Sequence, residues 1–168
     1  DRPRMRGEKG IGVISALDEQ PIYLNSRFGP YCIATDGFID NARELTDELL
    51  QEGASFSEVG GNRFVNLTEL AAKLITRGTS LVDGIEHLFE SIDGSCSLLL
   101  LHADGIYAAR DRMGYSSLAV GRRNGDWAVA SETSAFANLG FEIVKYLDPG
   151  EIVVIDENGM RQARAGGD

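Results

Sequence analysis

The stretch Tyr31 to Leu50, "YCIATDGFIDNARELTDELL", joins an apolar run to an amphipathic helix through Thr35-Asp36-Gly37. The run climbs to Ala34, the polar triplet reads as a turn, and the helix follows at once. Asn41 and Glu44 have capping-box spacing, Ala42, Leu45 and Leu49 form one stripe, and Gly53 stands at the end. A strand that hands over to a helix through a short polar turn is a common place for a catalytic or binding loop.

Working outward, the same grammar recurs. Asn66 and Glu69 repeat the capping spacing, Leu67, Leu70, Ala71 and Leu74 supply an apolar face, and Gly78 closes a second helix. A third helix is expected from Ser80 to about Ile92, with Leu81, Ile85, Leu88 and Ile92 inward. Upstream, "GIGVISA", "PIYLN" and "PYCIA" are short strand candidates, the last two separated by the turn signal "SRFG". From Ser95 the period changes to extended runs: "SCSLLLLHA", "IYAAR", "SLAVGR", "WAVAS", "EIVKYL" and "EIVVID". Asp104-Gly105, Asn124-Gly125, Asp148-Pro149-Gly150 and Asn158-Gly159 lie between them and favour tight hairpins, so the strands are expected to be mostly antiparallel. Helices grouped first and hairpins grouped after them predict an α+β fold.

A length of 168 residues fits one domain. Residues 1–10 read as a poorly ordered or appended opening stretch, 11–158 as the domain, and 159–168 as a polar tail leading to a further, C-terminal domain. The chain opens at Asp1 with no initiator Met and closes on "RQARAGGD", which reads as a piece of a longer gene product. Twenty-six acidic against sixteen basic residues give a net charge of −10, which repels nucleic acid and anionic membranes. Apolar runs are too short to span a bilayer and no signal peptide opens the chain, so a soluble, cytoplasmic protein is expected. Cys32 and Cys96 sit in strand-like runs and read as buried small hydrophobes.

Motifs for nucleotide or metal cofactors are missing: there is no Walker loop, no G-x-G-x-x-G after a strand, no C-x-x-C and no H-E-x-x-H. His87 and His102 lack a ligand pattern around them, so no metal and no cofactor are expected. Three later segments stand out. "RDRMGYSSLAVG", residues 110 to 121, places Arg110 and Asp111 at a strand end, where they read as a salt-bridged loop; "ASE", 130 to 132, ends the next strand with Ser131 as a helix cap; "DPGE", 148 to 151, feeds the last long strand.

In this order, "TDGFIDNARELTDEL", "GSCSLLLLHADGIYAARDRMGYSSLAVG" and "WAVASETSAFANLGFEIVKYLDPGEIVVID" resemble the glutamine amidotransferase domain of the class II family. More narrowly, they resemble the N-terminal domain of the amidophosphoribosyltransferase family of purine synthesis, over roughly residues 20 to 156. The resemblance implies an N-terminal-nucleophile hydrolase fold, a four-layer αββα sandwich of two mostly antiparallel sheets between helices. It also implies glutamine as substrate, a processed N-terminal Cys as nucleophile with its own α-amino group as base, and ammonia passed to a C-terminal phosphoribosyltransferase-like domain. An Asn-Gly pair supplies the oxyanion hole in such enzymes.

Carried over residue by residue, the resemblance is mixed. Thr35-Asp36-Gly37 stands where the family has His-Asn-Gly, so Gly37 survives and the donor Asn becomes Asp36. Asn66-Leu67-Thr68-Glu69 stands at an S-D-T-E-like motif, so Leu67 replaces the acid that grips the substrate amine. The family's H-x-R-[YW]-[ST]-T loop has no counterpart between Ser15 and Gln20. "GIGVISA" matches either the first strand, with Ile11 in the nucleophile's place, or a later strand resembling "HKGMGLVS". Arg110 and Asp111 align with a loop beside the site. Two functions stay open: a glutaminase that supplies ammonia but lacks its nucleophilic Cys in these residues, and a degenerate domain for binding or regulation whose partner is glutamine or another small molecule, in a possible homo-oligomer. A plain α+β interaction domain is the third.

Overall fold

The computed structural model describes residues 7–15, 19–57 and 65–167. Most of the expected opening stretch, residues 1–6, lies outside them, as does most of the segment between Ser15 and Gln20. The elements run β1 (Ile22–Ser26), β2 (Gly29–Ile39), α1 (Ala42–Gln51), α2 (Leu67–Ile75), α3 (Leu81–Ser91), β3 (Gly94–His102), β4 (Gly105–Ala109), β5 (Ala119–Arg123), β6 (Asp126–Ala130), α4 (Ser134–Leu139), β7 (Glu142–Tyr146), β8 (Ile152–Asp156) and β9 (Gly159–Arg164). They make two antiparallel sheets, one of six strands in the order β1-β2-β3-β4-β8-β9 and one of three in the order β6-β5-β7. The architecture is α+β.

Alternation along the strands of the larger sheet explains the layering. Leu98, Leu100, Ala109 and Val154 point to one face, where they pack with Leu45, Leu70, Leu74, Ile85 and Leu88 from α1, α2 and α3. Their neighbours Ala108, Val153 and Ile155 point to the other face and meet Val120 of β5 in the smaller sheet, with Leu118 just before β5 and Leu147 just after β7. On the far side of that sheet, Phe136 of α4 fits over Gly121 in β5. Helices, sheet, sheet and helix therefore stack in four layers.

Several local expectations are corrected. Thr35-Asp36-Gly37 is no turn: β2 continues to Ile39, and Thr35, Asp36 and Gly37 pair with Leu98, Ser97 and Cys96 of β3. Polar residues suit a turn by composition, but the long β3 offers partners along the whole run. Gly37 has φ 147°, and a Cβ there would run into the Ser95 carbonyl, so this register needs glycine. The chain turns instead at Asp40-Asn41, where Asn41 precedes α1 without capping it by its side chain. Its amide reaches across to the Ser91 carbonyl and the Asp93 N–H, fastening α1 to the end of α3. Asn66 does cap α2, accepting from the N–H groups of Thr68 and Glu69.

"GIGVISA" forms no strand over residues 10–15, and Ala16 lies outside the described residues. The polar tail is a strand through Arg164, because β9 pairs with β8 and packs Ala163 on the core. Asp148-Pro149-Gly150 does not close a hairpin: it carries the chain from the small sheet to the large one. Thr133, not Ser131, precedes α4.

Candidate functional site

At the C-terminal half of β2 the sheet surface opens into a pocket of about 150 Å³. Its lining includes Thr35, Asp36, Gly37, Phe38 and Ile39 from β2, Ser95 and Cys96 from β3, Leu67 from the first turn of α2, and Gln20 with residues 13–15 from the chain before β1. A larger groove of about 450 Å³ runs on from it between the two sheets, sharing Thr35 and Asp36 and walled by Ala34, Leu99, Leu118 and Val129. Four of the expected site residues, Thr35, Asp36, Gly37 and Leu67, thus meet in one place, though they come from two elements 32 positions apart in the chain.

Asp36 is exposed. One oxygen of its carboxylate, Oδ2, accepts a 2.7 Å hydrogen bond from the Ser116 hydroxyl on the loop between β4 and β5. Thr35 is taken up by structure: its N–H donates to Gln20 Oε1 at 2.8 Å, and its hydroxyl lies 2.6 Å from that of Thr68, which also donates to Gln20 Oε1. Gln20 therefore ties the chain before β1 to both β2 and α2. The Cys96 thiol is pushed up to about 12 by burial first and then by the negative charges of Asp111 and Asp36. It is a protonated thiol at neutral pH, with no nucleophilic character.

Arg110 and Asp111 line neither cavity and make no salt bridge with each other. The Arg110 guanidinium donates to three backbone carbonyls, those of Ser116 (2.9 Å), Leu147 (2.7 Å) and Gly114 (2.7 Å). Asp111 is buried, accepts from the Ser97 hydroxyl at 3.1 Å, and receives the Tyr115 N–H at 3.5 Å. Both shape the loop that presents Ser116 to Asp36, so they act on the pocket at one remove. Ser116, Gln20 and Ser95 escaped sequence reasoning. Ser and Gln carry no pattern by themselves, and only the fold brings residues 20, 95 and 116 beside residue 36. Among the described residues no group of three His, Cys, Asp or Glu side chains is placed to hold a metal ion.

Two antiparallel sheets between helical layers are the architecture of a class II glutamine amidotransferase domain. The chain belongs to that family: the model described as "Glutamine amidotransferase domain" matches residues 9–138. Among curated proteins, it is 30% identical over 138 residues to an amidophosphoribosyltransferase of Methanocaldococcus jannaschii, covering 82% of this chain and 29% of that protein. It is 29% identical to the Escherichia coli amidophosphoribosyltransferase, covering 94% and 35%. Among solved structures, the glutamine phosphoribosylpyrophosphate amidotransferase from B. subtilis, complexed with ADP and GMP, superposes with a TM-score of 0.76 at 29% identity, covering 88% of this chain and 32% of that one. The chain spans about a third or less of the length of these relatives.

Proposed function

We propose that this domain keeps the fold and pocket of a glutamine amidotransferase but has lost glutamine hydrolysis, and serves as a binding or regulatory domain in an amidophosphoribosyltransferase-like protein of the cytoplasm. The observation that carries this is the carboxylate of Asp36 at the pocket. The resemblance assigns this position to the Asn whose amide donates to the oxyanion. A carboxylate cannot donate, and its charge opposes the negative charge that develops on the substrate oxygen. Removing one such donor costs about 3 to 4 kcal/mol of transition-state stabilisation, and an opposing charge adds to that.

Leu67 supports the same reading. It stands where the resemblance puts the acid that grips the substrate ammonium, and a leucine side chain cannot replace that contact. Cys96, the thiol at the pocket wall, is held protonated by burial and by carboxylates. A second reading is favoured by the family match over residues 9–138: a working glutaminase that feeds ammonia to a phosphoribosyltransferase-like domain in purine synthesis, with its nucleophile supplied by residues other than these. Calorimetric titration of glutamine into the full-length gene product separates the two. No binding heat is expected up to tens of millimolar glutamine; saturable binding at or below about 1 mM would favour the glutaminase.

A further inference from the structure

We infer that His102 is a proton-dependent clasp: as an imidazolium it holds the β1–β2 turn to the β3–β4 turn, and as a neutral ring it lets go of one of them. The clasp lies away from the pocket and does not depend on whether the domain hydrolyses glutamine.

Geometry comes first. His102 is the last residue of β3, and its side chain is 16% exposed. Its Nδ1 lies 2.5 Å from Oδ1 of Asp104, in the turn that leads into β4. Its Nε2 lies 2.9 Å from the carbonyl oxygen of Phe28, in the turn between β1 and β2. A carboxylate and a carbonyl both only accept hydrogen bonds. The neutral ring has one N–H and sets the lone pair of its other nitrogen against an oxygen, whereas the imidazolium donates to both.

Both acceptors are held in place by other groups. The Ser26 hydroxyl accepts the Phe28 N–H at 3.0 Å and donates to the Gly29 carbonyl at 3.0 Å, which shapes the first turn. In the second, the Tyr107 hydroxyl donates to Asp104 Oδ2 at 2.8 Å and leaves Oδ1 to the ring. Burial raises the Asp104 carboxyl, but the hydrogen bonds from His102 and Tyr107 outweigh it, so Asp104 is an anion at neutral pH. The Tyr107 hydroxyl is pushed up to about 12, by burial first and then by Asp104, and stays a donor. Two cations stand near by: Arg27 on the first turn, whose guanidinium lies over the Phe28 ring at 5.3 Å, and Arg161 of β9, which pairs with Asp156 at 3.8 Å. Asp104 touches the ring directly, and its charge favours the imidazolium.

The sign of the pH dependence follows. A base whose charged form is held by the fold lends stability on the acid side of its titration, and that stability is lost as pH rises. Among the described residues β1 is an edge strand with β2 as its one neighbour. The loss therefore takes the form of local opening of the hairpin, with the rest of the domain intact.

The test is hydrogen–deuterium exchange of the full-length protein, read by mass spectrometry over residues 22–31 with α2 as reference, together with ¹⁵N NMR of the His102 ring. After correction for the intrinsic pH dependence of exchange, protection of the hairpin should fall about fivefold between pH 5.5 and pH 8.5. The midpoint of that step should coincide with the loss of the second ring proton, and α2 should keep its protection. His102→Gln, which like the neutral ring offers one donor and one acceptor, should show the lower protection already at pH 5.5 and no further step. If that variant fails to fold, the two midpoints in the unmodified protein still decide. Unchanged protection across this range, a step displaced from the titration of the ring, or a His102→Gln protein that keeps the full step would overturn the inference.

Discussion

An amide and a carboxylate differ by one heavy atom, yet the first donates hydrogen bonds and the second, an anion, only accepts them; position 36 carries the carboxylate. In the structure that anion is steadied from outside the strand by Ser116, whose loop is in turn held by Arg110 through three carbonyls. Ser116→Ala should cost about 1 kcal/mol or less in urea unfolding, since Asp36 is exposed and water can replace the hydroxyl. A loss of 3 kcal/mol or more would mean that the contact holds the loop and does not merely orient a side chain. Asp36 could be singled out in the sequence because the Asp-Gly pair stands at a motif position, and the structure places it in the lining of a pocket. Its partner could not, since Ser116 lies 80 residues away and nothing in "GYSSL" marks one serine over the next.

Helix positions were legible for a local reason: the apolar stripes, the Asn66 and Ser80 caps and the closing glycines are all encoded within one or two turns. The far end of β2 was not, because a strand is completed by a partner that sequence reasoning does not see. "TDG" has turn composition and became strand when β3 supplied hydrogen bonds to it. The tail after Asn158 misled in the same way, since its edge position in the sheet lets polar residues face water. Between α2 and α3 the close approach rests on glycine: a Cβ on Gly84 would run into the backbone carbonyl of Ile75. Gly84→Ala should therefore destabilise the domain by roughly 1–3 kcal/mol, although alanine is the better helix former. A rise in Tm for this variant would contradict that packing.

Across the whole molecule, the two sheets are joined by a buried charge. Glu151, just before β8, is wholly buried and pairs with Lys145 of β7 at 3.1 Å, while accepting the Asp148 N–H at 2.9 Å and the Gln162 amide. Burial raises its carboxyl, but these hydrogen bonds and the lysine charge outweigh that and hold it below its ordinary value of 4.5. Asp104 behaves alike: burial raises it, and the hydrogen bonds from His102 and Tyr107 bring it below 3.8. A lowered folded value means stability that is complete above the unfolded value and lost as pH falls through the folded one. Urea midpoints should thus hold between pH 7 and 5 and drop below about pH 4.5, with a shallower drop in Glu151→Gln. Parallel curves for the two proteins would place the acid sensitivity elsewhere. Lys145→Met, which leaves Glu151 buried without its cation, should cost on the order of 2 kcal/mol at pH 7. The four-layer arrangement itself was implied by the family resemblance, whereas this tie between the layers depends on two residues that meet only after both sheets have formed.

Loss of chemistry in a retained fold is tested most directly by ammonia release from glutamine by the full-length gene product with its natural N-terminus, alongside thiol labelling by a glutamine-like electrophile. A folded protein that neither releases ammonia above the uncatalysed rate nor takes up the label is the expected result. Turnover accompanied by labelling of an N-terminal cysteine would contradict it, and would show that a carboxylate at position 36 is compatible with a working oxyanion site.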